Sequence, residues 1–240
     1  MTDIDLSDLA AAHHGSQPLH GYLASPPGAG PWPGVVMIHE IFGLDDVMRA
    51  HADRLAGLGY LTMAVDLFST GSAARCLIST MRAMLRGQGR AFADICAAHA
   101  YLVSREDCTG KIGVIGFCIG GGFALLSATS GYDAAAVNYG QLPHDLDAAV
   151  AGACPIVASY GGRDPSLRGA AARLDTALDK AGVVHDVKEY PHASHAFLND
   201  AEAGPRLLRP LLRVTGTGPE PDSAQDAWHR IAAFFDTHLH

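Results

Sequence analysis

One short segment of the chain combines a reactive side chain with closely spaced glycines. Cys118 is the centre of residues 116–120 (GFCIG), directly after an apolar run typical of a buried strand. Glycines two residues before and after a nucleophile leave room for a sharp turn from a strand into a helix. The helix dipole then favours the nucleophilic thiolate, and the next amide, of Ile119, points to where an oxyanion would form. The segment predicts acyl transfer by a cysteine.

A nucleotide-binding turn is the alternative interpretation of this glycine-rich segment. It is disfavoured because residues 116–120 do not match G-x-G-x-x-G, and because no lysine follows as a phosphate-binding loop requires.

A carboxylate and an imidazole follow later predicted strands. Asp164 lies a few residues past one strand, and His195 lies in the loop after the next. Taken alone, Asp164 is more typical of a residue that begins a turn. The order nucleophile, acid, histidine is nevertheless that of the α/β-hydrolase fold. We therefore predict a triad of Cys118, Asp164 and His195. His192 is the second candidate for the base, because it lies nearer the strand and outside the small-residue turn.

Alternating strands and helices must bring these side chains together. The predicted strands are 19–24, 35–38, 60–65, 111–116, 134–138, 155–160 and 184–190. The predicted helices are 46–58, 73–85, 91–104, one after Cys118, 166–181 and 224–239. Strands joined by helices form a mainly parallel sheet with helices on both faces, and ligands bind at the carboxyl ends of its strands. We predict a single α/β-hydrolase domain over residues 1–240.

Composition excludes several classes of partner. The formal net charge of −8 argues against nucleic acid, which usually meets a basic surface. The longest apolar runs are too short to span a bilayer, and the acidic N-terminus does not resemble a signal peptide. We expect a cytoplasmic protein that acts on a small molecule, as a monomer or a small homo-oligomer.

The cysteines do not form a disulfide or zinc pattern. There are five, widely spaced and without a C-x-x-C pair. A thiol redox sensor centred on Cys118 would need a resolving cysteine, and Cys154 is the candidate that could lie close to it in space.

With these residues in place, the sequence resembles the dienelactone hydrolase family over most of its length, from about Gly21 to His238. The resemblance rests on residues 36–44 (VMIHEIFGL), 65–68 (VDLF), 116–121 (GFCIGG), 161–164 (GGRD) and 195–197 (HAF). It implies a Cys–His–Asp triad on Cys118, His195 and Asp164. It also implies that Glu40 contacts the resting thiol, and that the amide of Ile41 joins that of Ile119 as the oxyanion hole. A solvated loop carboxylate is the alternative role for Glu40.

One departure from the family concerns the substrate's charge. The dienelactone enzymes bind a substrate carboxylate with arginines, one of them four residues beyond the catalytic histidine, where this chain has Asn199 followed by Asp200. The second arginine has three unranked candidates, Arg75, Arg82 and Arg86. The segment 204–221 is either a rim over the site or a surface insertion, and it carries Arg206, Arg209 and Arg213.

The residues and the resemblance together predict hydrolysis of a small carboxylic ester or lactone, with no metal or organic cofactor. Three alternatives stay open: an amidotransferase-like cysteine hydrolase, a binding protein that keeps the fold without turnover, and the redox sensor. The amidotransferase hypothesis is the weakest of the three, because amidotransferases carry His-x-Glu where this chain has residues 195–197 (HAF).

Overall fold

The computed structural model describes residues 2–71, 73–204 and 217–240. Its strands are β1 Thr2–Asp5, β2 His20–Ala24, β3 Trp32–Ile38, β4 Leu61–Asp66, β5 Cys108–Phe117, β6 Ala134–Asn138, β7 Ile156–Gly161 and β8 His185–Tyr190. Its helices are α1 Ser7–Ala12, α2 Asp46–Gly57, α3 Ala73–Arg86, α4 Arg90–Val103, α5 Ile119–Ser127, α6 Leu146–Val150, α7 Ala170–Ala181 and α8 Pro221–Leu239. A 3-10 helix, Pro165–Leu167, precedes α7.

The described strands form one eight-stranded sheet in the order β1-β2-β4-β3-β5-β6-β7-β8. β2 is antiparallel to both of its neighbours, and each of the other adjacent pairs is parallel. The predicted mainly parallel sheet is therefore confirmed. Because β3, β5, β6, β7 and β8 run in the same direction, the loops that leave them lie along one edge of the sheet.

The central strands are apolar because both of their faces are covered. Val35, Val36, Met37 and Ile38 of β3 have no exposed surface, and Val114 of β5 has none either. A strand buried on both faces needs apolar side chains at successive positions, which explains continuous runs instead of alternation.

Helices lie on both faces of the sheet, as predicted. The rings of His51 in α2 and Trp228 in α8 are 5.2 Å apart between centroids, so these two helices share one face. A Cβ at Gly113 of β5 would lie 3.0 Å from a side chain of α8. A Cβ at Gly34 of β3, on the other face, would lie 3.3 Å from a side chain of α4.

The structure contains three elements that were not predicted, and it divides one predicted helix. β1 and α1 were not predicted, because β1 is a short, exposed and acidic edge strand whose partner is β2. The short α6 was also missed. The predicted helix 166–181 is divided, because Gly169 adopts a left-handed conformation with φ 72° between the 3-10 helix and α7. Within the described residues, no helix has both the length and the apolar composition needed to cross a bilayer.

Candidate active site

The chain turns sharply between β5 and α5, and Cys118 lies at the turn. Its φ is 55° and its ψ is −117°, a region that costs a residue other than glycine about 1–3 kcal/mol. A Cβ at Gly116 would lie 1.9 Å from the Gly120 carbonyl oxygen, and one at Gly120 would lie 2.2 Å from the Ile38 carbonyl oxygen. Glycine at both positions is therefore a steric requirement of the turn.

Asn138, at the end of β6, holds this turn from both sides. The Cys118 amide donates to the Asn138 carbonyl oxygen at 3.1 Å. The Asn138 side-chain amide donates to the Gly116 carbonyl oxygen at 3.2 Å, and the residue has no exposed surface. Two hydrogen bonds that span Cys118 keep the strained backbone in place.

His195 and Asp164 meet across the loops that follow β8 and β7. The distance from His195 Nδ1 to Asp164 Oδ2 is 2.5 Å, and Asp164 is only 3% exposed. The other carboxylate oxygen of Asp164 accepts from the Ser166 amide at 2.9 Å and from its hydroxyl at 2.6 Å. Asp164 therefore has a fixed orientation and presents one oxygen to the imidazole.

The electrostatics favour a charged imidazole. Burial lowers the pKa of His195, but hydrogen bonds with Asp164 and with the Cys118 thiol outweigh burial and raise it to about 10. Burial raises the pKa of Asp164, but its hydrogen bonds with His195 and Ser166 leave it below its ordinary value. The three predicted side chains thus lie together, with the ionised carboxylate of Asp164 on one side of the His195 ring and Cys118 on the other.

Backbone contacts tie the two loops to each other. The Arg163 amide donates to the Ala193 carbonyl oxygen at 2.9 Å, and the Gly162 amide donates to the Tyr190 carbonyl oxygen at 2.8 Å. His192, the second candidate for the base, is exposed, and its Nδ1 lies 3.3 Å from an Arg163 guanidinium nitrogen. His195, and not His192, faces Asp164.

Glu40 lies buried at the end of β3, which contradicts the alternative of a solvated loop carboxylate. The side chain is 3% exposed and its Oε1 accepts from the Tyr139 hydroxyl at 3.1 Å. The Asn199 side-chain amide lies 3.4 Å and 3.3 Å from the two carboxylate oxygens. Burial raises the pKa of Glu40, while His195 and these hydrogen bonds oppose the rise.

A neutral histidine holds Asn199 in this orientation. His51 Nε2 lies 3.0 Å from Asn199 Oδ1, and the ring is wholly buried between Phe117 and Trp228. Burial lowers the pKa of His51 to about 4, so the ring is neutral at pH 7 and donates from Nε2. The hydrogen-bonded series therefore runs from His51 through Asn199 to Glu40.

Replacing Asn199 with leucine, which has a similar shape, should destabilise the fold. The His51 N–H would lose its acceptor and Glu40 would lose a donor, at a cost of about 1–3 kcal/mol for a buried unpaired polar group. Urea unfolding measures this loss. Asp200→Asn is the matched control, because it only removes a partly exposed ion pair with Arg54 at 3.0 Å. Equal losses in the two variants would contradict the buried series.

Two small cavities meet at Cys118 and His195. One, of about 140 Å³, is lined by Glu40, Ile41, Phe42, Cys118, His195, Ala196, Asn199, Glu202, Ala203, Thr217 and Gly218. The other, of about 190 Å³, is lined by Ile41, Met81, Met84, Cys118, Ile119, Tyr139, Gln141, Ser166 and His195. Within the described chain, the amides of Ile41 and Ile119 donate to no other residue. Ile41 and Ile119 both line the second cavity together with Cys118.

The predicted arginines do not line these cavities. Arg82 and Arg86 line a different cavity, of about 260 Å³, between α3 and α4, and Arg75 borders none of the three. The second arginine of the family pattern is therefore not found among the described residues of either cavity at Cys118. Arg206, Arg209 and Arg213 lie outside the described residues.

Cys154 is not close to Cys118, contrary to the possibility left open above. Cys118 precedes α5, whereas the Cys154 amide donates to the carbonyl oxygen of Ala128 at the far end of that helix. A rise of 1.5 Å per residue separates these ends by roughly 15 Å, and a disulfide needs Cα atoms within about 7 Å. Both cysteines are free thiols.

Sequence reasoning missed three residues that support the site. Tyr139, Asn138 and His51 are each fully buried and contact Glu40, the Cys118 turn and Asn199 respectively. Asn138 and Tyr139 could have been found, because they end the strand β6 that neighbours the nucleophile strand. In the sequence, His51 is distinguished only as a polar residue on the apolar face of a predicted helix.

Comparisons with known proteins identify the family and the fold of the chain. The model of the dienelactone hydrolase family matches residues 19–239. A carboxymethylenebutenolidase of Pseudomonas putida is 29% identical over 195 residues, which cover 77% of this chain and 83% of that protein. A solved structure of a protein from Klebsiella pneumoniae subsp. pneumoniae that is named as a dienelactone hydrolase has a TM-score of 0.76 at 26% identity. The match covers 91% of this chain and 93% of that chain.

A more distant solved structure has the same fold. The dienelactone hydrolase of Anabaena variabilis has a TM-score of 0.67 at 22% identity and covers 93% of each chain. The family match spans nearly the whole chain, from residue 19 to residue 239. The chain belongs to the dienelactone hydrolase family and is a carboxylic ester hydrolase of the α/β-hydrolase fold.

Proposed function

We propose that the chain hydrolyses a small ester or lactone through a covalent thioester on Cys118, with His195 as proton carrier and Asp164 as its orienting group. The observation that carries the proposal is the 2.5 Å contact between His195 Nδ1 and Asp164 Oδ2, beside a thiol that shares both cavities with the same imidazole. A charged imidazole next to a thiol stabilises the thiolate, which is the nucleophilic form of cysteine.

The first half of the reaction forms the acyl-enzyme. The Cys118 thiolate attacks the carbonyl carbon, and the carbonyl π electrons move to the oxygen. The amides of Ile41 and Ile119 donate to this oxyanion, and in related sites one such donor contributes about 3–4 kcal/mol. When the intermediate collapses, the carbon–oxygen bond to the leaving group breaks, and His195 protonates the departing oxygen. A thioester on Cys118 and a free alcohol result.

The second half of the reaction releases the acid. His195, now neutral, takes a proton from a water molecule, whose oxygen attacks the thioester carbonyl. The same two amides stabilise the second oxyanion. Its collapse breaks the carbon–sulfur bond and returns the thiolate beside the imidazolium. Asp164 keeps Nδ1 of His195 protonated throughout, so that Nε2 faces the reacting atoms.

Glu40 has a different role in this proposal. Its carboxylate lines the same cavity as Cys118 and interacts electrostatically with His195. A negative charge there disfavours a second negative charge on sulfur, because like charges close together repel. When substrate entry moves Glu40 away, the Cys118 thiol passes its proton to His195, and the resulting thiolate attacks beside the imidazolium.

Trapping the thioester tests the proposal directly. Wild-type protein mixed with p-nitrophenyl acetate or a cis-dienelactone and quenched in acid should carry one acyl group, located on Cys118 by peptide mass spectrometry. A protein alkylated beforehand with iodoacetamide is the control and should carry none. Turnover without an adduct on Cys118, or an adduct on another residue, would contradict the mechanism. Absence of turnover on any ester or lactone would contradict the function.

A further inference from the structure

We infer that the cavity beside Cys118 accepts an uncharged, apolar acyl group, so that neutral esters or lactones are preferred to substrates that carry a carboxylate. The inference rests on the proposed function and concerns which substrate the same site selects. The four observations that carry it are the face of α3 at the cavity, the other lining residues, the hydrogen bonds of Asn199 and the charges nearby.

Helix α3 presents methionines, not arginines, to the nucleophile. Met81 and Met84 are three residues apart, so they share one face of the helix, and both line the cavity with Cys118. Arg82 and Arg86 are four residues apart on another face and line the separate cavity against α4. The helix therefore directs its cations away from the reacting atoms.

The rest of that cavity is equally poor in cations. Ile41, Ile119 and Tyr139 complete the apolar wall, and Gln141 and Ser166 supply neutral polar atoms. No lysine or arginine occurs among the described residues of either cavity at Cys118. Among the described residues of these cavities, the imidazolium of His195 carries the positive charge, and it is already paired with Asp164.

Asn199 cannot replace the missing cation. It is 2% exposed, its NH2 group faces both oxygens of Glu40, and its Oδ1 accepts from His51. The amide is uncharged and committed to partners inside the protein. The neighbouring cavity also contains the Glu40 carboxylate, which repels an anion.

In the cavity lined by Met81 and Met84, a carboxylate loses water without gaining a cationic partner among the described residues. Charged groups need a hydrogen-bonded counter-ion when they leave water, whereas a methyl group gains from contact with methionine and isoleucine. A charge-assisted contact to a carboxylate changes an equilibrium by about 10- to 100-fold. We expect a preference of that order for the neutral substrate.

Two esters that differ at one end test the inference. p-Nitrophenyl hexanoate and mono-p-nitrophenyl adipate have acyl chains of the same length, but the second ends in a carboxylate. After subtraction of background hydrolysis, kcat/KM for the hexanoate should exceed that for the adipate by about 10- to 100-fold. An equal or higher value for the adipate would overturn the inference and leave the hydrolase proposal standing. Hydrolysis of neither ester would overturn the proposed function itself.

Substitutions on two faces of α3 locate the effect. Met84→Arg should reduce the ratio of kcat/KM for the hexanoate to kcat/KM for the adipate by about 10-fold, because it adds a cation to the cavity wall. Arg82→Met, on the other face, should leave the ratio unchanged, and Met84→Leu should also preserve it. If Arg82→Met lowers activity on the adipate alone, or if Met84→Arg leaves the ratio as it was, the assignment of the methionine face to the substrate is wrong.

Discussion

Replacing Cys118 with alanine is expected to lower kcat for ester hydrolysis by several orders of magnitude. In a serine triad, removal of the nucleophile alone costs on the order of 10⁶-fold in kcat, because no other group can form the covalent intermediate. The loss should be as large here, since the turn that holds Cys118 positions no second thiol or hydroxyl at the same point. The measurement is kcat/KM for p-nitrophenyl acetate.

Two controls separate chemistry from stability in this experiment. Cys154→Ala removes a thiol beyond the far end of α5 and should keep wild-type activity. The Cys118→Ala protein should unfold close to the wild-type temperature, because the Cys118 side chain is only partly buried and already borders two cavities, so that few packing contacts are lost. Retention of even a tenth of the activity in folded Cys118→Ala would contradict the proposed mechanism.

Replacing Asp164 with asparagine is expected to lower kcat by about 10⁴-fold, the loss seen for the equivalent change in serine proteases. The buried carboxylate accepts from His195 Nδ1 at 2.5 Å and so determines which ring nitrogen carries the proton. An asparagine amide would present a donor to the same nitrogen and favour the wrong tautomer. Steady-state kinetics on the same ester measure the loss. Ser166→Ala, which removes only one hydrogen bond to the carboxylate, is the matched control and should lose far less.

The same substitution should change how stability depends on pH. The pKa of His195 is raised to about 10 in the folded protein, against an ordinary value of 6.5. The folded state then binds more protons than the unfolded state between these values, so its stability is greatest below pH 6.5 and falls as pH rises towards 10. Asp164→Asn removes a main cause of the raised pKa. The fall in melting temperature between pH 6.5 and 10 should therefore be smaller in the variant, and an identical slope would contradict the pairing.

Much of the fold follows from local patterns along the chain. Continuous apolar runs predict the central strands, because a strand covered on both faces has no polar side. Gly116 and Gly120 predict the turn at Cys118, because a Cβ at either position would overlap a backbone carbonyl group. Strand–helix alternation then predicts that Asp164 and His195 follow neighbouring strands, which β7 and β8 are.

The sequence was less informative where a residue's role depends on a distant partner. Asn199 stands 159 positions from Glu40 and 148 from His51, and only the packing of α2 beside the loop after β8 reveals that it joins them. Tyr139 reaches Glu40 for the same reason, since β6 and β3 lie on either side of β5.

The chemistry of this protein is thus encoded locally, and its choice of substrate is not. The glycines, the proposed nucleophile and the order of the proposed acid and base can be read from short segments, because steric limits at a turn and the direction of the chain act over a few residues. Whether Met84 or Arg86 of α3 meets the substrate depends on how that helix is rotated against its neighbours. Tertiary packing alone sets that rotation, because it is the contacts of α3 with α4 and α5 that decide which face is turned inward.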